Sequence, residues 1–259
     1  MKPAAVSLLV LRTVLSLILM SGAAVLLLPR DVADAQAPGE ALRLADLHLH
    51  PGPNFWPNTS PEELLRLLDR AGVQWAGNGT SGAPDDHWAS LVQAAPGRFI
   101  PFAGQDIRTL ILSQREEAWS LRSSEITRYL ERLEENLRAR QFRGIGELFV
   151  NNTNSRLPNR PLIRYPADSP LMRRLLALAA KYQVPLSIHM DADPVSVEEF
   201  ERLLTADRTA TVIWAHCGGR LRGDAGIIRR MLGQHPNLSA NSPSATTVLC
   251  RIQKSASAA

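Results

Sequence analysis

The sequence predicts an α/β protein of the TIM-type (β/α)8 barrel class, incomplete because about seven strands are recognisable and the eighth is missing. Apolar strand segments alternate with amphipathic helices along most of the chain, which indicates parallel strands joined by helical crossovers. The large number of short units favours a barrel over an open sheet. In addition, no G-x-G-x-x-G pattern follows the first strand, which argues against a dinucleotide-binding sheet.

The predicted strands are short apolar segments such as "RLADLHLH", "FRGIGELFV" and "VPLSIHMD". In chain order they cover residues 43–50, 73–80, 98–106, 142–150, 184–191, 211–219 and 237–242. A polar loop at 151–168 follows the fourth strand. In a barrel this loop lies on the side that carries the active site.

The predicted helices are recognised by one apolar face and by residues that cap their first turn. Ser60 is a good N-cap, Pro61 fits the first helical position, and Glu63 completes a capping box. Ser169 and Ser196 are expected to begin later helices in the same way. The helices cover residues 60–73, 85–95, 123–140, 169–182, 196–206 and 225–234.

The N-terminal segment differs from the rest of the chain. Lys2 provides a positive start, an apolar stretch covers 15–28, and Ala33-Asp34-Ala35 fits the small-x-small pattern of a cleavage site. We therefore expect residues 1–35 to be an export signal and the mature protein to be periplasmic or secreted. If the segment is not cleaved, the expectation is a membrane-anchored protein.

The remaining chain is expected to form one domain. Residues 36–43 are interpreted as a linker, 44–242 as the barrel, and 243–259 as an irregular tail. Of the 259 residues, 45% are hydrophobic and 21% are charged, which is ordinary globular composition. The net charge of +4 is mild and no basic run with interleaved aromatics occurs, so nucleic-acid binding is not expected.

The stretch "LADLHLHPGP" places Asp46, His48 and His50 on one face of the first strand. Two imidazoles side by side indicate a metal site. Asp46 lies two residues deeper and has two equally supported interpretations. It could orient a histidine, or it could make a structural hydrogen bond at the barrel floor.

Three later predicted strands also carry a polar residue that could bind a metal at or near their C-terminal ends. Glu147 is assigned to the fourth strand, His189 to the fifth and His216 to the sixth. Active sites of such barrels lie at the C-terminal ends of the strands. Each residue alone has an ordinary structural explanation, but together with the first strand they predict a metal-binding constellation.

These motifs resemble those of the amidohydrolase superfamily, in particular its amidohydrolase-related branch, over about residues 44–242. "DLHLH" is similar to the D-x-H-x-H signature, "GIGEL" to the fourth-strand carboxylate motif, and "SIHMD" and "WAHCGG" to the later histidine motifs. The resemblance implies one or two divalent ions, zinc first, with manganese or iron as alternatives. It implies that His48 and His50 bind the buried ion and that His189 and His216 complete the site.

The resemblance further implies that Glu147 stands where relatives have a bridging carboxylate or a carbamylated lysine. Glu147 and His216 are the expected catalytic residues, acting with metal-activated water. Relatives also carry a base-supplying aspartate at the end of strand eight, and residues 243–259 contain no acidic residue. Asp106 and Asp191 are the candidate substitutes.

The expected function is hydrolysis of a C–N or C–O bond in a small amide, ester or lactone. Three alternatives stay open: a decarboxylase of the same branch, a TatD-type deoxyribonuclease, and an inactive truncated remnant. Arg156, Arg160 and Arg164 could bind a substrate carboxylate from the loop after the fourth strand, or be solvated loop residues. The expected partners are a small-molecule substrate and, as an open alternative, further copies of the chain in a homo-oligomer.

Overall fold

A computed structural model of the chain describes residues 44–52, 59–78, 83–153, 162–218 and 224–241, together with the backbone of 249–250. The predicted export signal, the linker and most of the tail lie outside the described residues. None of the helices in the described part is long and apolar enough to cross a membrane.

The described strands form two sheets in which all neighbours but one are parallel. The first sheet has the order β1-β2-β3 and the second has the order β4-β5-β6-β7-β8-β9. The strands are β1 Leu44–Leu49, β2 Val73–Asn78, β3 Phe99–Ile100, β4 Phe102–Ala103, β5 Gly144–Asn151, β6 Leu186–Met190, β7 Val212–Ala215, β8 Leu238–Asn241 and β9 Leu249–Cys250. This is the predicted parallel α/β architecture, and no strand pairing closes it into a barrel within the described ranges.

The predicted third strand is divided at Pro101 into β3 and β4, which belong to different sheets. Proline has no N–H to donate to a strand partner, so an interruption at this position is physically reasonable. The carbonyl of Pro101 still accepts a hydrogen bond from the backbone N–H of Arg143, at 2.8 Å. Counting β3 and β4 as one, the seven predicted strands are all found.

The tail beyond 242 was expected to be irregular, but it contributes β9, which pairs antiparallel with β8. The register places Ala240 opposite Cys250 and Asn241 opposite Leu249. The edge of β8 is therefore covered by a strand from the tail.

The helices lie between the strands, as predicted, and most caps are those that the sequence indicates. They are α1 Pro61–Arg70, α2 His87–Ala94, α3 Gln105–Gln114, α4 Glu116–Trp119, α5 Ser124–Arg138, α6 Pro170–Tyr182, α7 Pro194–Ala206 and α8 Ala225–Gln234. The hydroxyl of Ser60 accepts from the N–H of Glu63 at 3.2 Å. For α7 the predicted cap is wrong: the helix begins earlier, and Asp193 accepts from the N–H of Ser196 at 3.1 Å.

Helices α3 and α4 were not predicted, and Asp106 was expected to end the third strand. Instead β4 ends at Ala103 and Asp106 lies in the first turn of α3. The cap of α3 comes from a distant residue, because Asp85 Oδ1 accepts from the N–H groups of Gly104 and Gln105, each at 2.9 Å. A local capping pattern is therefore lacking in the sequence.

The core lies between the strands and the helices that cover them. Leu175 of α6, Phe200 of α7 and Trp214 of β7 are all fully buried, and the rings of the last two meet edge to face at 5.3 Å between centroids. Burial of this apolar surface is the main term that stabilises the arrangement of strands. It thereby fixes the strand ends that carry the polar residues.

Candidate metal centre

The strands bring together all five predicted metal ligands. His48 and His50 come from the end of β1, Glu147 from β5, His189 from β6, and His216 directly follows β7. Glu147 lies in the middle of β5 rather than at its end, because this strand continues to Asn151. Their ligand atoms form two overlapping groups, His48-His50-Glu147 and Glu147-His189-His216, within 4.8 Å of one another in each group.

The carboxylate of Glu147 is the centre of this cluster, and its two oxygens face different histidines. Oε2 lies 3.4 Å from Nε2 of His48 and 3.6 Å from Nε2 of His50. Oε1 lies 2.8 Å from Nδ1 of His189 and 3.2 Å from Nε2 of His216. One carboxylate thus lies between two pairs of imidazoles.

The surroundings keep Glu147 ionised although its side chain is fully buried. Burial alone raises the pKa of a carboxyl group, but the neighbouring imidazoles of His48, His189 and His216 outweigh it and hold the pKa of Glu147 well below its usual value. A buried negative charge requires a compensating positive charge nearby. Imidazolium groups or a bound cation can supply it.

The backbone before Glu147 requires a glycine. Gly146 has φ +121°, and a Cβ atom built on it would lie 2.3 Å from the carbonyl oxygen of Ser187 in β6. Any larger residue would therefore separate β5 from β6 at this level. Close contact between these strands brings Glu147 against His189.

A residue that the sequence reasoning missed, Asn241, connects β8 to two histidines of the cluster, one from each sheet. It is the last residue of β8 and is fully buried. Its Oδ1 accepts from the backbone N–H of His216 at 2.8 Å, and its Nδ2 lies 3.1 Å from Nδ1 of His48. A polar residue at a strand end was the signal used for the histidines, and the same rule could have selected Asn241.

The other predicted acidic residues have different surroundings. Asp46 Oδ1 accepts from the backbone N–H of His48 at 2.9 Å, so it holds the β1 backbone; burial raises the pKa of Asp46, opposed by this hydrogen bond. Asp191 is buried just after β6. Asp106 accepts from the backbone N–H of Asp85 at 3.3 Å and lies in α3.

The three arginines proposed to bind substrate divide into two groups. Arg156 and Arg160 lie outside the described residues. Arg164 is described, and its guanidinium donates to Oε1 of Glu199 at 2.8 Å, while Oε2 of Glu199 accepts from the N–H of Ala167 at 3.0 Å. Arg164 therefore ties its loop to α7, and a role in substrate binding stays a prediction.

The donor set fits a divalent transition metal. Neutral imidazoles and a carboxylate are the ligands that zinc, manganese or iron accept. Nδ1 of His216 is buried and has no hydrogen-bond partner among the described residues. Burial lowers the pKa of His216, opposed by Glu147, so its ring favours the neutral form that a metal requires.

No protein-family model and no curated protein match the sequence. Solved structures do show similarity. A probable 2-pyrone-4,6-dicarboxylic acid hydrolase from Acinetobacter baumannii is 14% identical, with 74% of this chain and 65% of that chain covered and a TM-score of 0.44. A 2,6-dihydroxybenzoate decarboxylase from Rhizobium is 14% identical, with 70% and 67% covered and a TM-score of 0.38.

A TatD homologue from Escherichia coli K12 is 16% identical, with 67% of this chain and 68% of that chain covered and a TM-score of 0.38. The chain thus spans about two thirds of the length of each of these proteins. Identities and TM-scores this low do not assign the chain to a family or to a reaction.

Proposed function

We propose that this chain is a metal-dependent hydrolase of the amidohydrolase superfamily, akin to its amidohydrolase-related branch. One observation carries the proposal: four histidines, from the ends of β1 and β6 and from the turn after β7, lie around the buried carboxylate of Glu147. An uncompensated buried charge lowers the stability of a fold. Folding alone therefore does not explain why this cluster is present. Binding of a divalent cation, zinc first and manganese or iron as alternatives, would provide that compensation.

The two oxygens of Glu147 define two adjacent positions that a cation could occupy. His48 and His50 face Oε2, and His189 and His216 face Oε1. Glu147 and the four imidazoles are therefore the residues that would hold one or two ions. A bound divalent ion supplies an acidified water and polarises the oxygen of the bond under attack.

The residues of the chain would supply the remaining chemistry. His216 is held by its backbone N–H on Asn241, so the place of its imidazole beside Glu147 is fixed. Its Nδ1, which has no hydrogen-bond partner among the described residues, could accept a proton from the attacking water. Glu147 would keep the site negatively charged and orient His189 through the 2.8 Å contact.

The proposed substrate is a small molecule with a C–N or C–O bond, such as a cyclic amide, an ester or a lactone. The direct test is turnover of a panel of such compounds by the metal-loaded full chain, with aromatic carboxylic acids and plasmid DNA included. Hydrolysis that is lost in Glu147→Ala and kept in His87→Ala supports the proposal, since His87 lies in α2 and outside the cluster. Release of carbon dioxide or cleavage of the plasmid would replace it with the decarboxylase or the nuclease.

Export to the periplasm or the medium is part of the proposal and rests on the N-terminal pattern at 1–35. Its test is fractionation of cells that express the full chain, followed by N-terminal sequencing of the product. A product that begins at Gln36 in the exported fraction supports it. An intact N-terminus in the membrane fraction would favour the anchored form.

A further inference from the structure

The orientation of the Asn241 side-chain amide is fixed by one neighbour. Its Oδ1 lies 2.8 Å from the backbone N–H of His216, which can only donate a hydrogen bond. The side chain is fully buried, so water does not offer an alternative partner. The NH2 group of Asn241 must therefore point the other way.

The atom on that other side is Nδ1 of His48, at 3.1 Å from Nδ2 of Asn241. An amide NH2 group donates and does not accept, so Nδ1 of His48 must carry a lone pair rather than a proton. The ring proton of neutral His48 then lies on Nε2. This nitrogen lies 3.4 Å from Oε2 of Glu147, an ionised oxygen that favours a proton there.

This hydrogen-bond pattern opposes the use of His48 as a metal ligand. A metal-bound histidine uses the lone pair of one nitrogen and usually donates the proton of the other to an acceptor. If Nε2 of His48 bound an ion, its Nδ1–H would face the NH2 group of Asn241. Rotating the amide would instead turn that NH2 group toward the N–H of His216.

We infer that Asn241 holds His48 in the tautomer protonated on Nε2 and thereby weakens metal binding through His48; this inference rests on the proposed metal site. Asn241 is a positioning residue, because it acts on the ion only through the imidazole. Aspartate at this place would keep the hydrogen bond from His216 and accept one from Nδ1–H of His48. The carboxylate–histidine–metal arrangement is the one that raises metal affinity.

The test has two independent readouts on the full chain. The first is the ¹⁵N–¹H correlation spectrum of the histidine rings in the metal-free protein at a pH where the rings are neutral, with His48 assigned by its loss in His48→Ala. The second is the zinc dissociation constant, measured by competition with a chromophoric chelator, for wild type, Asn241→Asp and the control Asn136→Asp. The control introduces the same charge in α5, away from the cluster.

We expect His48 of the wild type to carry its proton on Nε2, and Asn241→Asp to move it to Nδ1. Zinc binding should become about 10- to 100-fold tighter in Asn241→Asp and remain unchanged in Asn136→Asp. A wild-type His48 protonated on Nδ1 would overturn the inference, as would a folded Asn241→Asp variant with equal or weaker zinc binding. If Asn241→Asp does not fold, the wild-type tautomer decides.

The two proposals can fail separately. If neither protein binds zinc but the predicted tautomers are observed, the proposed metal site is wrong and the metal-binding part of the inference is wrong with it, while the part about the His48 tautomer stands. If zinc binds to the wild type and His48 is protonated on Nδ1, the metal site stands and the inference about Asn241 is wrong.

Discussion

Glu147 and His189 meet through a 2.8 Å contact between Oε1 and Nδ1, and both side chains are almost completely buried. Neighbouring parallel strands, β5 and β6, produce this contact, and the ring of Phe149 stacks on His189 at 4.3 Å between centroids. The contact is therefore set by strand register and by aromatic packing. This contact holds the Glu147 carboxylate in place, and the other three histidines lie around it.

The first prediction concerns the charge of Glu147. Glu147→Gln keeps the shape of the side chain but removes the negative charge that lies between the two imidazole pairs. Zinc affinity should fall by more than about 100-fold, the upper end of what loss of an outer-shell partner costs. Chelator competition measures the effect, and the exposed Glu125→Gln serves as the control. Unchanged affinity in Glu147→Gln would mean that the ion binds elsewhere.

The second prediction concerns pH and Asp85. Burial, opposed by the N–H of Gly104 and assisted by the charge of Asp106, raises the pKa of Asp85 to about 6. At a pH between these two pKa values, the folded protein holds a proton on Asp85, whereas the unfolded chain, in which Asp85 has the ordinary pKa of 3.8, has released it. It follows that this group stabilises the fold less as pH rises from about 4 to about 6.

Asp85→Asn removes this dependence, because the amide is neutral throughout and its oxygen can still accept from Gly104 and Gln105. The free energy of unfolding of the variant minus that of wild type should increase by on the order of 2–3 kcal/mol as the pH rises from about 4 to about 7. Urea unfolding across this range measures it. The exposed neighbour Asp86→Asn serves as the control variant, and a flat difference between Asp85→Asn and wild type across this range would refute the assignment.

The third prediction concerns the core that positions the strand ends. Leu175 of α6 is fully buried, so Leu175→Ala leaves a cavity and should lower the free energy of unfolding by about 2–5 kcal/mol. Leu162, which is 68% exposed, provides the matched control, and Leu162→Ala should cost little. Denaturant unfolding of both variants makes the comparison. Equal effects would show that Leu175 is not packed as described.

Much of the fold and of the site could be predicted because the signals are local. Strand periodicity places His48 and His50 on one face, and the same rule of strand ends selects His189 and His216. The rule needs no knowledge of the tertiary structure beyond parallel strands. The four histidines are brought together in the structure around Glu147, which was expected at a strand end but lies in the middle of β5.

The features that were missed depend on partners distant in the sequence. Helix α3 has no cap of its own, because Asp85 supplies it across about 20 residues of chain. The interruption of the third strand at Pro101 depends on which sheet each half joins. The contacts of Asn241 with His216 and His48 could not be predicted from the sequence, because they arise only when β8 pairs with β7 and the end of β8 approaches β1.

The most direct test of the account is the amount of metal bound per chain, measured by elemental analysis of the full-length protein. Wild type is compared with His48→Ala/His50→Ala and with the control His87→Ala/His235→Ala, whose histidines lie outside the cluster. We expect at least one zinc, manganese or iron ion per chain in wild type and in the control, and a loss of half or more in the first variant. A folded wild type without metal, or equal metal content in all three proteins, would contradict it.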